Sequence, residues 1–293
     1  MTVYDCCSFL NENDLFEIRI NQHWDFVDKF IVVEACETHT GLRKPLNFDH
    51  KRFEPYASKL IYVSFDNFNE EINKYPELID QTTIDAATPS QQQDDWIRCY
   101  FQDNYIIKIL NELGATDSDV VYRSCLDEII SKEAFEIAMK RFEDPKLYDG
   151  LRPISYFNLY LYAYKINLLH RHHTQHYAGI MTEFGNFKKV LPASIRHLGL
   201  STHPIIPDAG WHFTFLDNTD GEMVLAKQRS WAHSRDVRPG EKVKFENTTK
   251  EEAVAKFFID YNPTLVPITR ETHPPYIVNN LDKFQNLIYN GTI

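Results

Sequence analysis

Val3-Tyr4-Asp5-Cys6-Cys7-Ser8-Phe9-Leu10-Asn11-Glu12-Asn13-Asp14-Leu15-Phe16-Glu17-Ile18-Arg19-Ile20 is the stretch that decides the fold class. Val3–Phe9 is rich in apolar and aromatic residues, as a strand covered on both faces is. A polar break follows, with Asn13 placed to cap a helix over Asp14–His23. Leu15 and Ile18, with Phe16 and Ile20 beside them, give that helix an apolar side. A second apolar run, Lys29–Ala35, comes next, then Leu60–Phe65 and Asp119–Tyr122. A longer helix is predicted over Asp94–Leu113, where Ile97, Phe101, Tyr105 and Leu110 fall near helical spacing. Strands alternating with helices predict an α/β chain with a mainly parallel sheet and flanking helices.

Beyond Ile130 the pattern changes. Ser131–Phe142 reads as a helix. Tyr156–Tyr164, His176–Thr182 and Trp211–Leu216 read as strands, and Gly221–Ser234, Lys250–Asp260 and Leu281–Tyr289 as helices. The polar segment Gln81–Gln93 reads as a mobile loop. No internal repeat or low-complexity tail is present, so 1–293 is expected to be a single domain with halves at 1–130 and 131–293.

A net charge of −11 argues against nucleic acid as a partner, because an acidic surface repels a phosphate backbone. A bound nucleotide remains compatible, since local cations or a metal can hold one diphosphate. The cysteines at 6, 7, 36, 99 and 125 form no CxxC pair and suit a reducing compartment. No apolar run reaches the about 18 residues of a membrane span. The N-terminus lacks a basic segment followed by an apolar core, so no secretory signal is expected. Cytoplasmic location is the resulting expectation.

In parallel α/β sheets ligands gather at the carboxyl ends of the strands. Asn11-Glu12-Asn13-Asp14 is there a helix start or a ligand-binding loop. Glu34-Ala35-Cys36-Glu37-Thr38-His39-Thr40-Gly41-Leu42-Arg43-Lys44-Pro45 offers cations for a diphosphate and a glycine for close backbone approach, or is a solvated loop. Ser124-Cys125-Leu126-Asp127-Glu128 offers oxygen ligands for Mn²⁺ or Mg²⁺, or a helix cap. Asp117-Ser118-Asp119 is a literal Asp-x-Asp, but it precedes its strand and reads as a surface turn. His212 and His233, each near a tryptophan, suit a metal or a phosphate, or simple packing. The tract His170–His176 reads as a solvated connection.

These residues resemble glycosyltransferase family 17, whose best-known members add the bisecting N-acetylglucosamine to N-glycans. The likeness begins at Tyr4-Asp5-Cys6, Phe9-Leu10-Asn11-Glu12, Asp14-Leu15 and Glu17-Ile18-Arg19. It continues through Val27–Ala35, Thr38-His39-Thr40-Gly41 and Lys44-Pro45-Leu46. Gln102-Asp103-Asn104, Asp127-Glu128-Ile129, Gly210-Trp211-His212-Phe213, Lys227 with Ser230 and His233, and Pro275-Tyr276-Ile277 with Asn280 extend it along the chain.

The resemblance implies a GT-A-like (Rossmann-like) fold with a nucleotide-binding half at 1–130 and a C-terminal acceptor-side lobe at 131–293. It also implies inversion, UDP-N-acetylglucosamine as donor, a glycan or lipid-linked sugar as acceptor, and a divalent metal, usually Mn²⁺. By this resemblance Asp127 and Glu128 are the catalytic acids, and Asp127 and His212 hold the metal. Asn11, Glu34, Thr38, His39, Lys44, Gln102, Asn104, His212 and His233 line the nucleotide. The catalytic base is open, with Glu183 and Asp208 as candidates.

Two departures stand out. Cys125 occupies the position of the first metal-binding acid, and a thiol is a poor ligand for hard ions. Asp103 replaces a cation of the long helix. Weak metal dependence, a changed donor or lost catalysis would each follow from these changes. A degenerate member that binds a nucleotide-sugar or glycan is therefore the alternative. A nucleotidyltransferase is a third reading, opposed by the lack of a glycine-rich phosphate loop.

Overall fold

A computed structural model of the chain describes residues 1–79, 81, 93–143, 154–170, 176–189, 191, 205–235 and 248–291. The first half runs β1 (Val3–Phe9), α1 (Asn13–His23), β2 (Lys29–Ala35), β3 (Leu60–Phe65), α2 (Phe68–Lys74), α3 (Gln93–Glu112) and β4 (Val120–Arg123). Its strands lie in the order β3–β2–β1–β4, and each neighbouring pair is parallel. The chain moves outward from β1 to β3, then returns to the other side of β1 for β4. That reversal opens a crevice at the carboxyl ends of β1 and β4.

The second half contains β5 (Glu128–Ile130), α4 (Lys132–Glu143), β6 (Ile154–Ala163), β7 (Leu168–His170), β8 (His176–Glu183), β9 (Ile205–Ile206) and β10 (Gly210–Thr214). It ends with α5 (Glu222–Ser230), α6 (Lys250–Tyr261) and β11 (Pro263–Leu265). β8 extends the sheet antiparallel to β4, and β6 lies antiparallel to β8. β10 runs parallel to β6 and antiparallel to β5, with His212 opposite Glu128. The expected α/β architecture is present, with the parallel run of strands in the first half.

Successive residues of β1 feed two cores, because strand side chains alternate between faces. Cys7 and Phe9 pack with Leu15, Phe16, Ile18 and Ile20 of α1. Tyr4 and Cys6 pack with Phe101, Tyr105, Ile106 and Leu110 of α3. Helix α1 is buried almost all round, including Glu17 and Arg19. A one-sided apolar stripe would not explain this. Residues near the C-terminus cover the outer face of α1, bringing Ile277, Phe284 and Leu287 into the same core. Tyr276 Oη donates to Glu17 Oε1 at 2.5 Å, and Lys283 pairs with the same carboxylate.

Arg19 fixes the geometry around the crevice. It is fully buried and ion-paired with Asp5 of β1. Its Nε lies 3.1 Å from each Asp5 carboxylate oxygen. The other donors reach the turn between β4 and β5. Nη1 donates to the carbonyls of Cys125 at 2.7 Å and Glu128 at 2.9 Å, and Nη2 to Ser124 Oγ at 2.8 Å. His23 completes the group: its Nδ1–H donates to Asp5 Oδ2 at 2.7 Å, and its Nε2 accepts Ile130 N–H at 3.2 Å. Burial keeps this imidazole below its ordinary pKa, in keeping with a neutral ring.

Several boundaries differ from the sequence expectation. Glu12, not Asn13, occupies the cap position of α1 and makes no capping bond. Asn13 instead joins the loop beyond β2, donating to Asn47 O at 2.9 Å and accepting Asp49 N–H at 3.0 Å. The helix expected over Gly221–Ser234 is broken at Trp231, whose backbone is extended, and resumes as a 3-10 turn at Ala232–Arg235. Leu281–Leu287 is likewise 3-10 rather than α-helical. Glu128 lies on a short strand and not at a helix start. Residues 82–92 of the polar loop and 171–175 of the histidine tract lie outside the described residues.

Arg19→Met should destabilise the protein by about 3–5 kcal/mol, because it strands the Asp5 carboxylate in the core. Urea unfolding measures this. Arg19→Lys, which keeps the charge but not the forked donors, should lose less.

Candidate active site

A cleft of about 330 Å³ opens at the crevice between β1 and β4. Ser8, Phe9, Leu10 and Glu12 line it from the end of β1, and Glu37, Thr38, His39 and Lys44 from the loop after β2. Trp96, Cys99, Tyr100, Gln102 and Asp103 of α3 form one wall. Arg123 and Cys125–Glu128 form the floor, and His212, Thr214, Lys227 and Ser230–His233 close the far side.

Asp127 is the centre of the polar network. It is 4 % exposed. Its Oδ2 accepts from Lys227 Nζ at 2.7 Å, and its Oδ1 lies 3.4 Å from His212 Nε2. Lys227 Nζ also lies 3.6 Å from Glu12 Oε1. Burial alone would raise the Asp127 carboxyl, but Lys227 and then His212 hold it well below the usual carboxylate value. Burial likewise opposes the charge on Lys227, yet Asp127 and Glu12 raise its ammonium pKa. The pair is thus ionised from about pH 4 to about pH 10, between the ordinary values of its members.

Arg123, at the end of β4, is 2 % exposed. Asp103 of α3 pairs with its Nη2 and accepts from Ser8 Oγ at 3.3 Å. Asp103, where the resemblance gives a helix cation, thus holds a cation on the neighbouring strand. Nε and Nη1 of Arg123 are buried with no hydrogen-bond partner among the described residues. Unpaired buried donors of this kind cost about 1–3 kcal/mol, so an anion in the cleft would be favoured there.

Cys125 Sγ and the carboxylates of Asp127 and Glu128 lie within 4.8 Å of one another. They are the group among the described residues that could hold a metal ion. Glu128 Oε2 accepts Cys125 N–H at 2.9 Å, which fixes the shape of the turn. The position of β10 depends on Gly210, where a Cβ would stand 2.2 Å from Ile129 O. That close approach sets His212 opposite Glu128.

The structure brings together Asp127, Glu128, Thr38, His39, Lys44, Gln102, His212 and His233. His39 Nε2 contacts Gln102 Oε1 at 2.8 Å, tying the loop after β2 to α3. Three expected nucleotide contacts lie elsewhere. Glu34 is fully buried beneath the loop, accepting from Lys44 Nζ at 2.6 Å, Asn47 N at 2.7 Å and Tyr62 Oη at 2.8 Å. Its task is to organise Asn47 and Phe48. Asn104 faces away from Asp103 on α3 and donates to Leu78 O at 2.7 Å. Asn11 lines a neighbouring polar cavity of about 220 Å³ with Asp14, Arg52 and Asn218.

The candidate bases also lie outside the cleft: Asp208 accepts from Tyr160 Oη at 2.8 Å, and Glu183 ends β8. Gly41 is exposed and faces the Arg98 guanidinium, not the cleft. Asp119 is tied to Thr2 N at 2.6 Å and Asp117 to Lys188 at 2.6 Å, away from the cleft.

Sequence reasoning missed Arg123, Trp96 and Tyr100, quoted Glu12 and Glu37 only as members of possible ligand loops, and gave Lys227 no role. Arg123 was detectable as a charge closing an apolar strand. Trp96 meets His233 with ring centroids 4.4 Å apart, and Trp231 meets His233 at 5.0 Å. That meeting of α3 with the turn after α5 carries no local sequence signal.

A model of glycosyltransferase family 17 matches residues 1–256. The match defines a class of enzymes that transfer sugars, which implies a nucleotide-sugar donor and a glycan acceptor. The chain belongs to glycosyltransferase family 17. No curated protein matches the sequence. A solved structure described as the crystal structure of a mycobacterial protein aligns with 95 % of this chain and 88 % of that one. Its 12 % identity and TM-score of 0.36 carry no argument. Among the described residues no helix is long and apolar enough to cross a membrane.

Lys227→Met should raise the Asp127 carboxyl pKa and destabilise the protein by about 1–3 kcal/mol at neutral pH. A carboxyl depressed on folding stabilises above its ordinary value, and that contribution is lost as pH falls through the depressed value. The gap between variant and parent should therefore narrow in acid. Urea unfolding across pH checks this.

Proposed function

We propose that the chain transfers N-acetylglucosamine from UDP-N-acetylglucosamine to a hydroxyl of a glycan or lipid-linked sugar, with inversion, on a GT-A-like fold. Asp127 meeting Lys227 and His212 at the carboxyl end of the sheet is the observation that carries this reading. The sequence separates these residues widely, yet their side chains meet in one cleft large enough for a ligand.

In an inverting displacement the acceptor hydroxyl attacks the anomeric carbon opposite the departing UDP. Negative charge grows on the diphosphate, and fixed cations stabilise it without reorganising. Lys227 and Arg123 are the cations placed for that task, with His212 beside them. Trp96, Tyr100 and Trp231 supply flat apolar surface for the uracil or the sugar. A divalent ion, which the family resemblance gives as Mn²⁺, would be held by Asp127 with Glu128 and Cys125 and would supply further positive charge. The acceptor's proton goes to Glu12, a cleft carboxylate that the ion would leave unused. A cytoplasmic setting accords with five cysteines that form no disulfide.

Cys125 favours a second reading, a member that binds the nucleotide-sugar with little turnover. UDP release from UDP-N-acetylglucosamine separates the two. Asp127→Ala should lower kcat by about 10²–10³-fold, the scale for removing one preorganised electrostatic group. Unchanged turnover would exclude Asp127 from the mechanism. Glu12→Gln should cost about 10²–10⁴-fold with UDP binding retained. UDP binding without release in the parent protein would establish the second reading.

A further inference from the structure

We propose that Cys125 makes the metal position of this cleft a sulfur-bearing site that selects zinc-class divalent ions over manganese and magnesium. The proposal rests on the reading of the cleft as a nucleotide-sugar site for the ion's task, whereas the ligand set stands on geometry. Cys125 Sγ and the two carboxylates fall within 4.8 Å of one another, close to the span of two metal–ligand bonds of about 2.0–2.3 Å. His212 Nε2, 3.4 Å from Asp127 Oδ1, adds a nitrogen donor beside them.

One sulfur, carboxylate oxygens and an imidazole form a mixed donor set. Thiolate and imidazole suit zinc and its neighbours, whereas manganese and magnesium favour oxygen alone. Arg123 supplies a separate indication that this end of the cleft receives a ligand. Its Nε and Nη1 are buried without a hydrogen-bond partner among the described residues, and it ends the strand two residues before Cys125. An anion taken up by Arg123 would enter the same cleft that the thiol and carboxylates line. An ion there would share the anion's charge with a side chain that already carries one positive charge.

The test uses the full chain and the metal ions alone. Co²⁺ titrated into the parent protein should produce a sulfur-to-cobalt charge-transfer band, and Zn²⁺ should displace it. The band should vanish in Cys125→Ser and persist in Cys99→Ser, a control needed because Cys99 also lines the cleft. Any nitrogen–oxygen site prefers Zn²⁺ to Mn²⁺ by the usual order of divalent ions. The decisive quantity is therefore the change in that preference. Cys125→Asp should lower the Zn²⁺-to-Mn²⁺ affinity ratio, measured calorimetrically, by about tenfold or more, the scale on which altered ligand environments act.

No sulfur band in the parent would overturn the proposal. A band that survives Cys125→Ser, or an unchanged ratio in Cys125→Asp, would do the same. UDP binding measured on the same samples keeps the two claims apart. Failure to bind UDP with the cobalt band present counts against the functional reading alone. UDP binding without the band counts against the metal proposal alone. Matching unfolding midpoints show that the serine variants are folded.

Discussion

The buried pairing of Arg19 with Asp5 constrains everything around the cleft. A guanidinium has five donors, and each one buried without an acceptor costs stability. Asp5 takes one edge of the fork. The remaining donors go to Ser124 and to main-chain carbonyls of the turn that leads from β4 into β5. A charge anchored in the first strand thereby holds the loop that carries Asp127. The loop is short of regular structure yet fixed, because moving it would strand hydrogen bonds in the core. His23, bonded to both Asp5 and the end of β5, makes a second attachment between the same elements.

Charge inside the cleft is arranged in pairs. Asp127 faces Lys227, and Asp103 faces Arg123. Each acid keeps a cation in place and lowers the cost of burying it. Resting pairs of this kind prepare cations for an incoming anion, since the side chains are ordered before the ligand arrives. Asp103 shows that a residue's sign alone is a poor guide to function. Its carboxylate stands where the family resemblance gives a positive charge, while the strand beside it supplies a guanidinium.

The parallel half of the fold was legible because its strands are apolar runs separated by helices, and local pattern suffices for such elements. The cleft was legible where one rule applies, that ligands meet strands at their carboxyl ends. That rule led to Asp127, Glu128, Thr38 and His39. It failed for Glu34, which also ends a strand, because nothing local reveals whether an acid faces a ligand or the underside of its own loop. Asn104 failed for a related reason: one residue along a helix turns the side chain by about 100°. Arg19, Trp96 and Arg123 owe their importance to partners well separated in sequence, and only the folded chain displays those partners.

The segment Pro275–Leu287 covers helix α1, and α1 holds the turn beneath the cleft. The family match ends at residue 256, before that segment begins. The model match therefore stops short of the segment that braces α1, although the resemblance in sequence reaches Pro275-Tyr276-Ile277 and Asn280. A protein cut at that border would keep every residue that lines the cleft and lose the outer support of the helix beneath them. Tolerance to a fused partner or a protease site at this end would be set by the Glu17 cluster, where Tyr276 and Lys283 fasten the last segment to the first helix.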